Sequence, residues 1–218
     1  MIRAVLFDLD GTLYDRDASI RKVAREQFAT FRDRLGGTDQ DAFVDRFLHL
    51  DDHGYAERPE LYRGLGADLG LEPSLAGDLQ SHFWSCYSRH CQPFDDARST
   101  LQALRTAGKR LGVITNGQNE WQAQKLEALD LGDRFDVVLI SEAEGLRKPD
   151  PRIFARALDR MGVEPSEAMF VGDHPDVDIA GARAAGLAAA WKRVPYWTLM
   201  RDDALVIEKL GEILQACC

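Results

Sequence analysis

The chain has 218 residues, 45% hydrophobic and 29% charged, the composition of a folded globular protein with one or two domains rather than a disordered or fibrous one. Its 36 acidic and 27 basic side chains leave a formal charge of -9, which opposes long-range attraction to nucleic acid or to an anionic membrane surface. No apolar run reaches the roughly 18 residues of a membrane span, and no leader-like basic and apolar N-terminus is present, so neither nucleic acid nor membrane is expected as a partner and a cytoplasmic location is.

Taken in chain order, the first element is the apolar run "AVLFD" ending at Asp8, which reads as a short buried strand. It runs straight into Asp10 and a Gly-Thr turn. Residues 16–91 then hold helical periodicities only. Ile20, Val23, Ala24, Phe28 and Phe31 share one face, and Phe43, Val44, Phe47 and Leu48 share another in a helix for which Thr38 is the expected cap. Leu75, Leu79, Phe83, Cys86 and Tyr87 mark a further helix. From residue 92 onward strands and helices alternate: "LGVITN" to Thr115, "FDVVLIS" to Ser141, "AMFVGD" to Asp173 and a weaker "LAAAW" from Leu187, with helical segments between. The segment "DALVIEKLGEILQ" reads as a last amphipathic helix. The expectation is an α/β fold: a Rossmann-like, doubly wound parallel sheet over residues 1–15 and 92–218, with a helical domain of residues 16–91 inserted beside the Asp8 end of the first strand, a lid-like position.

Ligands of open parallel sheets bind beyond the carboxyl ends of the strands, and the unusual polar residues collect there. Asp8, Asp10, Thr115, Asn116, Lys148, Asp173 and Asp178 can converge at that edge. Carboxylates packed together repel by about 4 kcal/mol per pair at 4 Å and an effective dielectric near 20. A divalent cation removes the conflict, and hard oxygen ligands favour Mg²⁺, which also binds phosphate. Lys148 and the Thr115 hydroxyl suit a phosphoryl group. Asp8, ionised at neutral pH, can attack phosphorus; Asp10 can give a proton to the leaving oxygen and later take one from water.

Four segments, "DLDGT" at 8–12, "ITN" at 114–116, "RKPDPRIF" at 147–154 and "VGDHPDVDIAGA" at 171–182, resemble in order the four motifs of the haloacid dehalogenase-like hydrolase superfamily. The resemblance implies a Rossmann-like core with an α-helical cap inserted after the first motif, and Mg²⁺-dependent hydrolysis of small phosphorylated substrates through an aspartyl intermediate. It makes Asp8 the nucleophile and a metal ligand, and Asp10 the acid/base, whose backbone carbonyl also meets the metal. It gives Thr115, Lys148 and Asn116 to the phosphoryl group and Asp173 to the metal, with Asp178 supporting the metal shell. Haloalkanoate dehalogenases lack the second aspartate of the first motif, so Asp10 points to phosphate esters. A phosphomutase uses the same core. A non-catalytic phospho-signalling receiver would share the strand-end aspartates but is about half as long and has no helical insert.

Bland readings compete residue by residue. Asp-Gly is a turn signal, and Asp173 or Asp176 can cap a helix; only the conjunction of the four segments outweighs these. His49 and His53, four apart among acidic residues, lack the zinc-protease glutamate and read as a solvated helix face. The four cysteines, Cys86, Cys91, Cys217 and Cys218, lack zinc-ligand spacing along the chain and read as buried or incidental thiols.

Overall fold

A computed structural model describes residues 1–198 and 204–217. The chain divides into two compact units, one built from Met1–Asp15 and Pro93–Cys218, the other from Arg16–Gln92. Cys218 lies outside the described residues. No helix among the described residues is long and apolar enough to cross a membrane.

The first unit is an α/β sandwich around six parallel strands in the order β3-β2-β1-β4-β5-β6. These are β1 (Ala4–Phe7), β2 (Arg110–Thr115), β3 (Val137–Ile140), β4 (Ala168–Gly172), β5 (Ala188–Lys192) and β6 (Leu205–Ile207). Strands covered on both faces carry continuous apolar runs instead of alternation, which accounts for "AVLF" and "AMFVG" with every residue buried. One layer of the core packs Leu6, Ile114, Leu139 and Phe170 against Ile153, Phe154, Ala157 and Met161 of the helix Pro151–Met161. That helix starts at a proline, is capped by the Asp150 carboxylate accepting from the Arg152 amide, and ends at Gly162 with φ +59°.

Two local expectations are corrected. The expected last helix over 203–215 begins outside the described residues, and from 204 onward it is not one helix: Leu205–Ile207 pairs with β5 as the edge strand, followed by a 3₁₀ turn Leu210–Ile213 and the short helix Leu214–Cys217. The apolar triplet Leu-Val-Ile fits either period, and the open edge of β5 decides in favour of the strand. Thr38 does not cap the second helix either, because its hydroxyl donates to Leu35 O at 2.6 Å. The cap is Asp39, whose carboxylate accepts from the amides of Asp41 and Ala42.

The second unit consists of four helices, α1 (Arg16–Phe31), α2 (Gln40–Asp51), α3 (Arg58–Leu69) and α4 (Pro73–His90). Phe28, Phe43, Phe47, Tyr62 and Phe83 fill its centre, with Phe47 and Tyr62 edge to face at 5.8 Å. Gln27 is buried there and fully used, donating to Leu79 O and sharing a hydrogen bond with the Tyr62 hydroxyl.

Asp51 closes this unit. Both of its oxygens accept from Arg16, at 2.6 and 3.0 Å, and Oδ1 also from Arg58 at 2.5 Å. Burial pushes its carboxyl upward, but the two guanidiniums prevail and hold it at about 2, below the ordinary 3.8. Because the folded value is the lower one, this contribution to stability is complete above about pH 4 and is lost as pH falls toward about 2. Asp51→Asn leaves two guanidiniums without their counter-charge and is expected to cost about 3 kcal/mol at pH 7, lowering Tm by roughly 6 to 12 °C. Urea melts of both proteins should diverge by that amount at neutral pH and converge as pH falls from about 4 toward about 2.

Candidate active site

The strand order reverses at β1: the chain proceeds to β2 and β3 on one side and to β4, β5 and β6 on the other. This is the switch point at which a parallel sheet leaves a crevice beyond its strand ends. β1 ends at Phe7 level with Val113 and Val171, so Asp8 emerges one residue before Thr115 on β2 and Asp173 after β4. The Asp8 amide donates to Val171 O at 2.9 Å, extending the ladder by one bond and fixing the direction of the carboxylate.

Asp8, Asp173 and Asp178 come together, each buried, with one oxygen of each within 4.8 Å of the others. Lys148, on the loop before the helix Pro151–Met161, donates to Asp8 Oδ1 at 2.6 Å and to Asp178 Oδ1 at 2.7 Å. Asp178 belongs to a π-helical turn, Pro175–Ala180, and its second oxygen accepts from the His174 amide. Two glycines make room for the cluster. A Cβ on Gly11, whose φ is +80°, would lie 2.6 Å from Asp173 Oδ2, and one on Gly172 would collide with Asp178.

Burial pushes Asp8 up to about 7, with Asp178 and Asp10 adding to the rise and Lys148 opposing it. Burial likewise raises Asp173 well above the usual carboxylate range, reinforced by Asp178 and Asp8. Lys148 stays charged because Asp178 and Asp8 outweigh its own burial. Three carboxylates face one ammonium, so full ionisation leaves two negative charges unmatched, the deficit that one divalent cation fills. The three side chains offer carboxylate oxygens, which suit a hard cation.

The remaining expected residues reach the centre in different ways. Thr115 ends β2, buried, and its hydroxyl accepts from Gln122 Nε2. Asn116 spends both amide atoms on Lys148, donating to its carbonyl at 3.0 Å and accepting from its amide at 2.9 Å. It therefore fixes the Lys148 backbone and acts on the site through that residue. Asp10 accepts from Lys125 at 2.6 Å, Gln122 at 2.8 Å and the Tyr14 hydroxyl.

Tyr14, Gln122, Lys125 and Trp191 are the residues sequence reasoning missed. Trp191 on β5 donates its indole N–H to Asp173 O at 2.6 Å and so sets that backbone. A signal for two of them existed. In the helix Asn119–Ala128 the buried positions include Gln122 and Lys125 beside Leu126, and polar residues three apart on a covered helix face need polar partners.

The family model of the haloacid dehalogenase-like hydrolases matches residues 2–186. A glyceraldehyde 3-phosphate phosphatase of Methanopyrus kandleri is 34% identical over 194 residues, covering 86% of this chain and 82% of its own. A ribulose-1,5-bisphosphate 5-phosphatase of Halopiger xanaduensis is 34% identical, covering 86% and 83%. Among solved structures, a HAD phosphatase from Thermococcus onnurineus superposes with a TM-score of 0.69 at 28% identity, over 99% of this chain and 97% of its own.

Proposed function

The chain belongs to the haloacid dehalogenase-like hydrolases and is a hydrolase of phosphoric monoesters, and from that premise we propose that it is a Mg²⁺-dependent phosphatase of small phosphorylated metabolites working through an aspartyl-phosphate on Asp8. The observation that carries this reading is the buried trio Asp8, Asp173 and Asp178, with Lys148 bridging the first and last and two negative charges left to neutralise.

In this reading Asp8, Asp173 and the backbone carbonyl of Asp10 hold the cation, with Asp178 supporting the shell. When bound, Mg²⁺ keeps Asp8 ionised despite its burial and offsets charge on the phosphoryl oxygens. The Asp8 carboxylate attacks phosphorus as the ester P–O bond breaks, and the leaving alkoxide takes a proton from Asp10. Water then attacks the phosphorus of the acyl phosphate, gives a proton to Asp10, and releases inorganic phosphate and free Asp8. Lys148 and Thr115 hold the phosphoryl oxygens, and Asn116 assists by holding Lys148. With three donors turned toward it, Asp10 is an acceptor, the state needed when water is deprotonated. An alkoxide needs a proton to leave and a halide does not, so a proton carrier beside Asp8 favours ester hydrolysis over dehalogenation.

The helical unit, entered eight residues after Asp8, is the cap in this reading and carries substrate discrimination. Glyceraldehyde 3-phosphate and ribulose bisphosphate, named for the two relatives, set the substrate class as small phosphorylated metabolites. The expected result is release of phosphate from p-nitrophenyl phosphate with Mg²⁺, lost on chelation with EDTA and restored by Mg²⁺. Turnover that survives chelation excludes the metal role. A panel of phosphorylated metabolites ranked by kcat/KM then identifies the preferred ester.

A further inference from the structure

A second group of metal-ligating side chains lies within the helical unit, chemically unlike the first. On α4, His82, Cys86 and His90 recur every four residues and line one face. Glu26 on α1 faces this stripe. Its Oε1 lies 3.7 Å from His82 Nε2, and its Oε2 is hydrogen-bonded to His90 Nε2. Cys86 Sγ is 3.6 Å from His82 Nδ1. One donor atom each from Glu26, His82 and Cys86 lies within 4.8 Å of the other two.

We propose that Glu26, His82 and Cys86 form a Zn²⁺ site on the helical unit, separate from the all-carboxylate centre of the sheet. The donor set decides the ion: thiolate, imidazole and carboxylate together suit Zn²⁺, whereas Mg²⁺ seeks oxygen alone. Tetrahedral ligands about 2.0 to 2.3 Å from Zn²⁺ lie about 3.3 to 3.8 Å apart, and donors that already stand within 4.8 Å of one another, with His82 offering one ring nitrogen, need close only slightly to reach that spacing. The surroundings orient the donors as outer-shell groups do around metals. Phe31 packs edge-on against the His82 ring at 5.4 Å, and His90 and Arg89 hold Glu26 from outside. Cys86 is buried while Glu26 and His82 are half-buried, which leaves an entry path from solvent. A water molecule would complete the fourth position.

Binding replaces the Cys86 S–H bond by an S–Zn bond and releases the proton to solvent, with no change of oxidation state. Because the thiol binds as thiolate and the imidazole as its neutral form, affinity rises with pH.

The test is a titration of the full-length protein with Co²⁺ in the presence of saturating Mg²⁺, followed by competition with Zn²⁺. The expected result is a near-ultraviolet thiolate-to-cobalt charge-transfer band that saturates at one equivalent and is bleached by one equivalent of Zn²⁺. Cys86→Ser should abolish the band, His82→Gln and Glu26→Gln should weaken binding at least about 10-fold, and Cys91→Ser should leave the band intact. Phosphatase activity with Mg²⁺ should be unchanged in each variant, which also certifies that it is folded. If the serine variant does not fold, His82→Gln decides. A wild-type protein with no band at saturating Co²⁺, a band that survives Cys86→Ser, or unweakened binding in His82→Gln overturns the site and leaves Glu26, His90 and Arg89 as an ion-pair network.

Discussion

Asp8→Asn should reduce phosphate release by about 10⁴-fold or more, the scale on which removal of a covalent nucleophile acts. The amide keeps the shape of the carboxylate and removes its nucleophilicity. Stability should move little or rise in the absence of Mg²⁺. Asp8 is pushed up to about 7 by burial, so its ionised form costs folding free energy near neutral pH, and Lys148 retains Asp178 as a partner in the variant. Acid-quenched turnover of the wild type, followed by peptide mass spectrometry, should find the phosphoryl group on the segment containing Asp8, and the variant should carry none. Normal turnover in Asp8→Asn removes the covalent mechanism.

For Asp10→Asn the expected loss is about 10²- to 10⁴-fold on an alkyl phosphate, the range of general acid–base catalysis. The dependence on leaving group carries the diagnosis. A p-nitrophenolate departs with little help from a proton, so the variant should still form the aspartyl-phosphate from that substrate but hydrolyse it slowly. A burst of nitrophenol followed by a slow steady state is the expected trace. Full turnover on an alkyl phosphate would assign proton transfer elsewhere. Tyr14, Lys125 and Gln122, which donate to the Asp10 carboxylate, would then be the polar groups to examine.

The sheet was legible because its strands are buried on both faces, and apolar runs ending in Asp or Thr have few other uses in a chain of this composition. The polar residues at those ends were legible for the same reason: Asp8 and Asp173 sit one step beyond their strands and Thr115 ends its own, in a register the parallel pairing fixes. Less was legible where a local pattern serves two structures. Leu205–Ile207 became an edge strand because β5 offered unpaired backbone, a property of the assembled sheet absent from the triplet itself. Thr38 and Asp39 are both good caps, and the choice turned on where the preceding turn ends. Asn116 sits in the right motif, yet only three-dimensional packing reveals that both its amide atoms are committed to the Lys148 backbone. Gln122 and Lys125 were hidden because a polar residue on a helix reads as solvated until the opposing face is known. The Glu26 to Cys86 group was hidden more deeply, since Glu26 lies on a different helix from His82 and Cys86 and spacing along the chain never brings it near them.

The joint between the sheet and the helical insert has a consequence of its own. Where the chain leaves the sheet unit and where it returns, Tyr14 and Pro93 form an antiparallel bridge and the Phe94 amide donates to Leu13 O at 3.1 Å. The two ends of a 77-residue excursion are thus stapled side by side by the sheet unit's own backbone. Loop-closure entropy grows only with the logarithm of loop length, about 0.6 kcal/mol per doubling, so a neck of this kind accepts a whole helical bundle in place of a short turn for only about 3 kcal/mol more. The sheet then behaves as a fixed chassis with a socket, and new substrate preferences can arise by exchanging what is plugged in while the reacting carboxylates stay where they are.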